Sequence, residues 1–280
     1  MRTRAWGSTS RWRGTTSTAV ISRPSGARRS ARSPERGSSV AQVVCRYRKG
    51  EAVKWISHLD LKRTFERALR RAELPVELTQ GHNPHLKLSF GPPLPLGATG
   101  DAELLAMHLQ RPTPPDEVAR RLNEQLPPGL EVVEAWLVPG HRKKETLGDV
   151  DVAEYVVAVR DGMEAEALRS RIEELLARDE IVVHRGGARP ERTVNLRPFI
   201  LSLRLEEAGE HEVRLHMRLR TGSHGGARPQ EIVSALGLGS GELPARCHRV
   251  ALYASAEAPA ATSPSRRRRW ARARGQEPRG

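Results

Sequence analysis

Val43–Arg48 alternates, with Val43, Cys45 and Tyr47 on one side and Arg46 and Arg48 on the other. A period of two marks a strand with one buried face. The period then changes. In "SHLDLKRTFERALRRAELP", Leu61, Phe65, Ala68, Leu69 and Ala72 fall at i, i+4, i+7, i+8 and i+11, the apolar stripe of a helix that ends at Pro75. Ser57 with Asp60 three residues on has the form of a capping box. Arg63, Arg67 and Arg70 then point away from the core.

Val76–Thr79 and Leu86–Phe90 are expected to be short strands, and Ala102–Leu109 another. Thr113, Pro114 and Pro115 open a second helix with Val118, Leu122 and Leu126 on one face, and Leu130–Val138 closes the unit as a strand. Allowing one extra short strand, the order is β-α-β-β-α-β, the split βαβ of a ferredoxin-like sandwich. The pattern recurs after "PGHRKKETLGDVD". A strand at Tyr155–Arg160, a helix through Leu168, Ile172, Leu175 and Leu176, and a strand at Ile181–His184 come first. An alternating pair, Ile200–Glu206 and Val213–Leu219, a short helix through Ile232 and Leu236, and a strand at Arg246–Tyr253 complete it. The fold class expected is α+β, two tandem ferredoxin-like sandwiches. The first occupies residues 42–140, the second 154–258, with a linker over 141–153 and basic tails at 1–41 and 259–280.

Charge changes this picture only at the ends. The chain of 280 residues carries a formal charge of +14, but residues 1–41 hold nine Arg and one acid, and 259–280 hold seven Arg and one acid. Removing them from 47 basic and 33 acidic residues leaves 31 of each. The tails are too poor in apolar residues to bury a core and are expected to be disordered. Their arginine serves either as a solvated end or as a nucleic-acid arm. With only six lysines against 41 arginines, the skew also matches a GC-rich codon bias. The acid-poor start has the composition of a transit peptide, but a start codon set too far upstream of Val43 is the favoured reading. Two cysteines, Cys45 and Cys247, exclude a disulfide framework and a four-cysteine metal site within the chain, which fits a reducing cytoplasm. No apolar run approaches the roughly 20 residues of a membrane span.

The stretch "TQGHNPHLKLSFGPPLPLGATGDAE", Thr79–Glu103, draws attention as candidate chemistry. His82 and His85 have H-x-x-H spacing, but only Asp101 or Glu103 offers a further ligand, so no metal is expected. Gly81 and Asn83–Pro84 form turns. With His85, Lys87 and the outward Arg63, Arg67 and Arg70, they are expected to line one cationic concavity. Residues 42–100 carry ten basic and five acidic groups, which suits a phosphate- or RNA-contacting surface. Ser57, His58 and Asp60 serve either as a helix cap or as a base with its orienting carboxylate. In the second unit Arg214, His216, Arg218 and Arg220 make one face of a strand basic. Aromatics are 4% of the chain, so no base-stacking pair marks either sheet. In "TVNLRPFI", Arg197 either begins a strand or reaches toward the first unit's loop. P-loop, dinucleotide, zinc-protease and nucleophile-elbow signatures are missing, so no cofactor is expected and a binding role is favoured over an enzyme.

Trp55–Gly97, with S-H-L-D, A-L-R-R-A, Q-G-x-N-P-H and P-L-P-L-G, resembles the bacterial radical SAM-linked proteins, a domain family of unknown function. "NLRPFI", Asn195–Ile200, is similar to the family's later motif, and the resemblance runs from Val43 to Tyr253. His82 stands where an aromatic is more usual and Leu86 where proline is common. The cysteine triad of a radical SAM cluster is missing. The resemblance implies an accessory protein for substrate recognition or docking, assisting a radical SAM enzyme whose substrate is RNA. The tandem plan also resembles the CRISPR repeat-processing endoribonucleases. That resemblance implies His58 or His85 as base, Lys87 as phosphorane stabiliser and "TGSHGGARP" as the glycine-rich loop. A protein-only scaffold is the third expectation.

Overall fold

The computed structural model describes residues 41–138, 147, 150–160, 163–186, 192–208, 212–222, 225–238 and 246–254. The expected disordered tails lie outside the described residues, as does most of the expected linker. The architecture is mixed α/β, with a large sheet and four helices.

In the first half the chain forms β1 (Ala41–Lys49), α1 (His58–Arg71), β2 (Leu88–Phe90), β3 (Thr99–Leu109), α2 (Pro115–Asn123) and β4 (Leu130–Val138). The second adds β5 (Val150–Val159), α3 (Ala165–Ala177), β6 (Val182–Arg185) and β7 (Arg192–Asn195). It ends with β8 (Ile200–Ala208), β9 (Val213–Arg220), α4 (Pro229–Ala235) and β10 (Arg246–Ala254). Eight strands make one sheet in the order β4-β1-β3-β10-β5-β9-β8, with β2 on β3, while β6 and β7 pair separately.

Within each half every ladder of that sheet is antiparallel. The halves meet in a parallel ladder of two residue pairs, His248↔Thr99 and Arg249↔Gly100. The outer side of β3 is therefore divided: its first residues pair with β10, whereas Leu105–Met107 pair with β2. Residues 91–98 fill the fork.

The apolar stripe of α1 behaves as its spacing dictates: Leu61, Phe65, Ala68 and Leu69 are buried, packing with Val43, Cys45 and Tyr47. Phe65 meets Tyr47 edge-on at 4.8 Å between ring centroids. In the second half Tyr155 and Val157 pack with Leu168, Ile172 and Ile232. Several expected bounds shift, two of them at β5 and β7. β5 begins at Val150 rather than Tyr155, because its outer residues pair with β9 and β10 on both sides. β7 was not foreseen, because "RTVN" carries no clean alternation and is a strand only through its pairing with β6.

Candidate functional site

The expected strand Val76–Thr79 is reduced to two bridges, Val76↔Leu109 and Leu78↔Leu86. Glu77 N–H donates to the His108 carbonyl and His108 N–H to that of Lys87, so 75–77 and 87–90 act as two pieces of one strand along β3. Residues 78–86 loop out between them. The loop is closed at its neck by Thr79 N–H to the His85 carbonyl (2.7 Å) and His85 N–H to Thr79 Oγ1 (3.0 Å). Lys87 Nζ pairs with Glu77 at its base, 2.9 Å apart. Gly81, His82, Asn83 and His85 are exposed along it.

Ser57 caps α1: its Oγ accepts from Asp60 N–H at 3.1 Å and donates to Asp60 Oδ2 at 2.7 Å. His58 sets its ring edge-on to Phe90, with centroids 5.6 Å apart. Partial burial there, then the nearby Lys62, lower its pKa. Arg63 reaches Asp60 at 3.5 Å, and Arg67 and Arg70 are exposed. Among the described residues no hydrogen bond, ion pair or ring contact joins His82, Asn83 or His85 to Arg63, Arg67 or Arg70. The loop hangs from the strand outside β3, whereas the arginines ride the outer face of a helix.

Arg197 belongs wholly to the second half, which settles its two expected roles against the reach across. Its Nε donates to the Leu176 carbonyl at 2.9 Å, and its backbone N–H to Asn195 Oδ1 at 3.0 Å. The basic face of β9 is also largely neutralised by neighbours. His216 Nε2 lies 2.5 Å from Glu154, Arg220 pairs with Asp151 at 2.9 Å, and Arg214 with Glu212 at 3.5 Å. Arg218 donates to the Tyr253 hydroxyl and lies over that ring.

The structure instead opens a cleft of about 850 Å³ between the halves. One wall is Phe90–Leu96, the proline-rich run; the other is Thr221, Gly222 and residues 225–230, with Gly225 and Gly226; Val150 and Tyr155 also line it. Both walls are anchored. Arg249 Nη2 donates to the Pro92 carbonyl at 2.8 Å, and Arg185 Nη2 to that of Gly226 at 2.6 Å. Arg185 also grips Glu231 by two bonds of 2.6 and 2.7 Å. Glycine is required at 226, where a Cβ lies 2.4 Å from the Arg220 carbonyl oxygen. Gln230 lines the cleft, and its Oε1 is buried with no hydrogen-bond partner among the described residues. Arg228 is exposed on the same rim.

Behind the proline run sits a buried charge centre. Arg249 Nε donates to Glu103 Oε1 at 2.8 Å and Nη2 donates to Oε2, with the Tyr155 hydroxyl 3.4 Å away. Nearby Lys49, also buried, donates to the carbonyls of Lys54 (2.9 Å) and Ile56 (3.4 Å). Sequence reasoning weighed Glu103 only as a metal ligand and missed Arg249, because their pairing joins strands far apart in the chain. It missed Trp55 as well, which these bonds hold at the surface, because a lone aromatic before a helix cap has no periodic signature.

A family model described as "Uncharacterized protein conserved in bacteria (DUF2344)" matches residues 42–229. The chain belongs to that family. No curated protein matches it significantly. Among solved structures, a Cbf5-Nop10-Gar1 complex is similar at 12% identity and a TM-score of 0.44, over 77% of this chain and 50% of that one. An H/ACA RNP bound to a substrate RNA containing 2'-deoxyuridine gives 13% identity, a TM-score of 0.41 and 74% and 46% coverage. An unknown protein from Galdieria sulphuraria gives 17%, 0.23, 71% and 90%. The chain spans about half the length of the first of these structures. At such scores the likenesses carry no functional weight. Among the described residues no helix is long and apolar enough to cross a membrane.

Proposed function

We propose that this DUF2344 chain is a non-catalytic recognition module that receives RNA at the cleft between its halves, for a radical SAM partner. Its two halves are best understood as tandem ferredoxin-like units. The orders β4-β1-β3-β2 and β10-β5-β9-β8 support this, since each is the 4-1-3-2 order of a split βαβ sandwich.

The observation that carries the functional proposal is the cleft itself. It brings the P-L-P-L-G run of the resemblance, in the first half, against the glycine-rich residues 221–222 and 225–230 of the second. Ligand sites favour such junctions. The excess of ten basic over five acidic residues across 42–100 supports a polyanion. The radical SAM partner comes from the sequence resemblance. An endoribonuclease finds less support, because Lys87, its phosphorane stabiliser, is paired with Glu77.

The test is to titrate the full chain with fluorescein-labelled single-stranded RNA at about 50 and about 200 mM salt, following anisotropy and strand integrity. Salt-sensitive binding without cleavage, weakened by Arg228→Glu, supports recognition. Cleavage abolished by His58→Ala or His85→Ala makes the protein an enzyme. No binding at either salt leaves a protein-only scaffold.

A further inference from the structure

We infer that Trp55 and the outer face of α1 form a track for an unpaired RNA segment of about three or four nucleotides, leading into the cleft. This rests on the RNA reading above and names the form of RNA that is taken.

Trp55 is 67% exposed, an uncommon position for the largest apolar side chain in a chain poor in aromatics. It is not a loose loop residue. The carbonyl before it, Lys54, accepts from buried Lys49 at 2.9 Å and from Gly97 N–H at 2.9 Å, and the carbonyl after it, Ile56, accepts from Lys49. Burying an ammonium costs several kcal/mol unless its bonds compensate. Here those bonds go to the two carbonyls that flank the exposed indole. The consequence is a ring presented to solvent on a fixed backbone, so little ordering cost remains when something stacks on it.

The surroundings select the ligand. Leu59 and Leu96 are also exposed, at 55% and 56%; Leu96 lines the cleft, and the next residue, Gly97, is bonded to the Lys54 carbonyl, which ties the cleft wall to the Trp55 turn. Lys54 Nζ lies 5.4 Å from the Trp55 ring centroid, with its charge shared with Glu51 at 2.8 Å. Along α1, Arg63, Arg67 and Arg70 follow on one outward face. With a rise of about 1.5 Å per residue they stand about 6 and about 4.5 Å apart along the axis. That is the scale on which phosphates repeat in an extended strand. Arg63 shares its charge with Asp60, so Arg67 and Arg70, exposed beyond it, are the main phosphate contacts. An aromatic platform followed by spaced cations is the grip used for single strands, whose base faces are open. A duplex presents its phosphates to the arginines but hides its base faces from Trp55. An acidic peptide satisfies the arginines and leaves the indole without a purpose.

The test uses the full chain and a fluorescein-labelled single-stranded RNA of about ten nucleotides, with the matching duplex and single-stranded DNA as further probes. Trp55→Ala is expected to weaken single-strand binding about tenfold or more, with the melting temperature and the salt slope unchanged. Trp55→Phe should restore most of the affinity. Arg67→Glu and Arg70→Glu should each reduce the salt slope by about one, while the charge-matched Arg169→Glu on α3 leaves it alone. Equal loss on RNA and DNA keeps the track and removes its preference for RNA. The track is overturned if Trp55→Ala binds like the wild type, or if the duplex binds as tightly and responds alike. If Arg228→Glu still weakens binding in that case, recognition at the cleft survives without the track. Failure of the wild type to bind any probe removes both.

Discussion

Arg249, wholly buried in β10, clamps Glu103 of β3 with one edge of its guanidinium, Nε to Oε1 and Nη2 to Oε2. The clamp crosses the seam where only two backbone residue pairs join the halves. The Cβ position of Gly100 is 2.5 Å from Glu103 Oε1, so the carboxylate lies where any other residue at 100 would put its side chain. The pair also sets the cleft, since Arg249 holds the Pro92 carbonyl. Glu103→Ala leaves a guanidinium buried without its counter-ion and is expected to cost about 3–5 kcal/mol in urea unfolding. Arg249→Met combined with Glu103→Leu should cost less than either single change, because neither charge is left alone. Additive losses would show that the two side chains do not act as a pair.

Much of this was legible in the sequence, and the failures have physical causes. The stripe of Leu61, Phe65, Ala68 and Leu69 fixed both the buried face of α1 and the outward direction of Arg63, Arg67 and Arg70, because helical geometry ties the two together. The seam was hidden: Thr99 and His248 are 149 residues apart, and two residue pairs leave no pattern to read. The placement of the loop that carries His85 was hidden for a related reason. Periodicity places residues on an element but does not say where an interruption such as 78–86 hangs once both its ends pair with β3. The arginine stripe of β9 was correctly seen as one face, yet its partners Glu154 and Asp151 come from β5, which only the register reveals.

That register predicts an acid limb in stability. Asp101 lies below its ordinary value of 3.8, first through its hydrogen bond with His248, and Glu154 below 4.5, first through His216. A carboxyl with a depressed pKa binds fewer protons folded than unfolded, so its contribution is complete above its ordinary value and disappears as pH falls through the folded one. Stability attributable to these groups should therefore hold from neutrality down to about pH 5 and decline below pH 4. Asp101→Asn and Glu154→Gln should each flatten that decline in urea unfolding followed against pH. An unchanged acid limb in both variants would remove the two histidine–carboxylate pairs as its source.

The cysteines offer a separate test of the strands that carry them. Burial pushes the Cys45 and Cys247 thiols up to about 12. At pH 8 both are protonated and enclosed, so iodoacetamide should leave the native chain unmodified and add two groups once it is unfolded. Intact-mass measurement reads the result directly. Rapid labelling of one site in the native chain would reveal local opening of β1 or β10.

Lys49 supplies the most discriminating variant, because it touches no ligand in any scheme above. Its buried ammonium holds the carbonyls on either side of Trp55, and burial lowers its pKa. Lys49→Met keeps the volume and removes the donors, so the turn should loosen while the core stays filled. A loss of about 1–3 kcal/mol in stability is expected from carbonyls left unsatisfied. If Trp55 binds because it is held in place, the same change should also weaken single-stranded RNA several-fold, through the cost of reordering the turn, with the salt slope unaltered. Affinity equal to the wild type, measured well below the melting temperature, would show that the indole needs no such support, and the clamp would then belong to the fold alone.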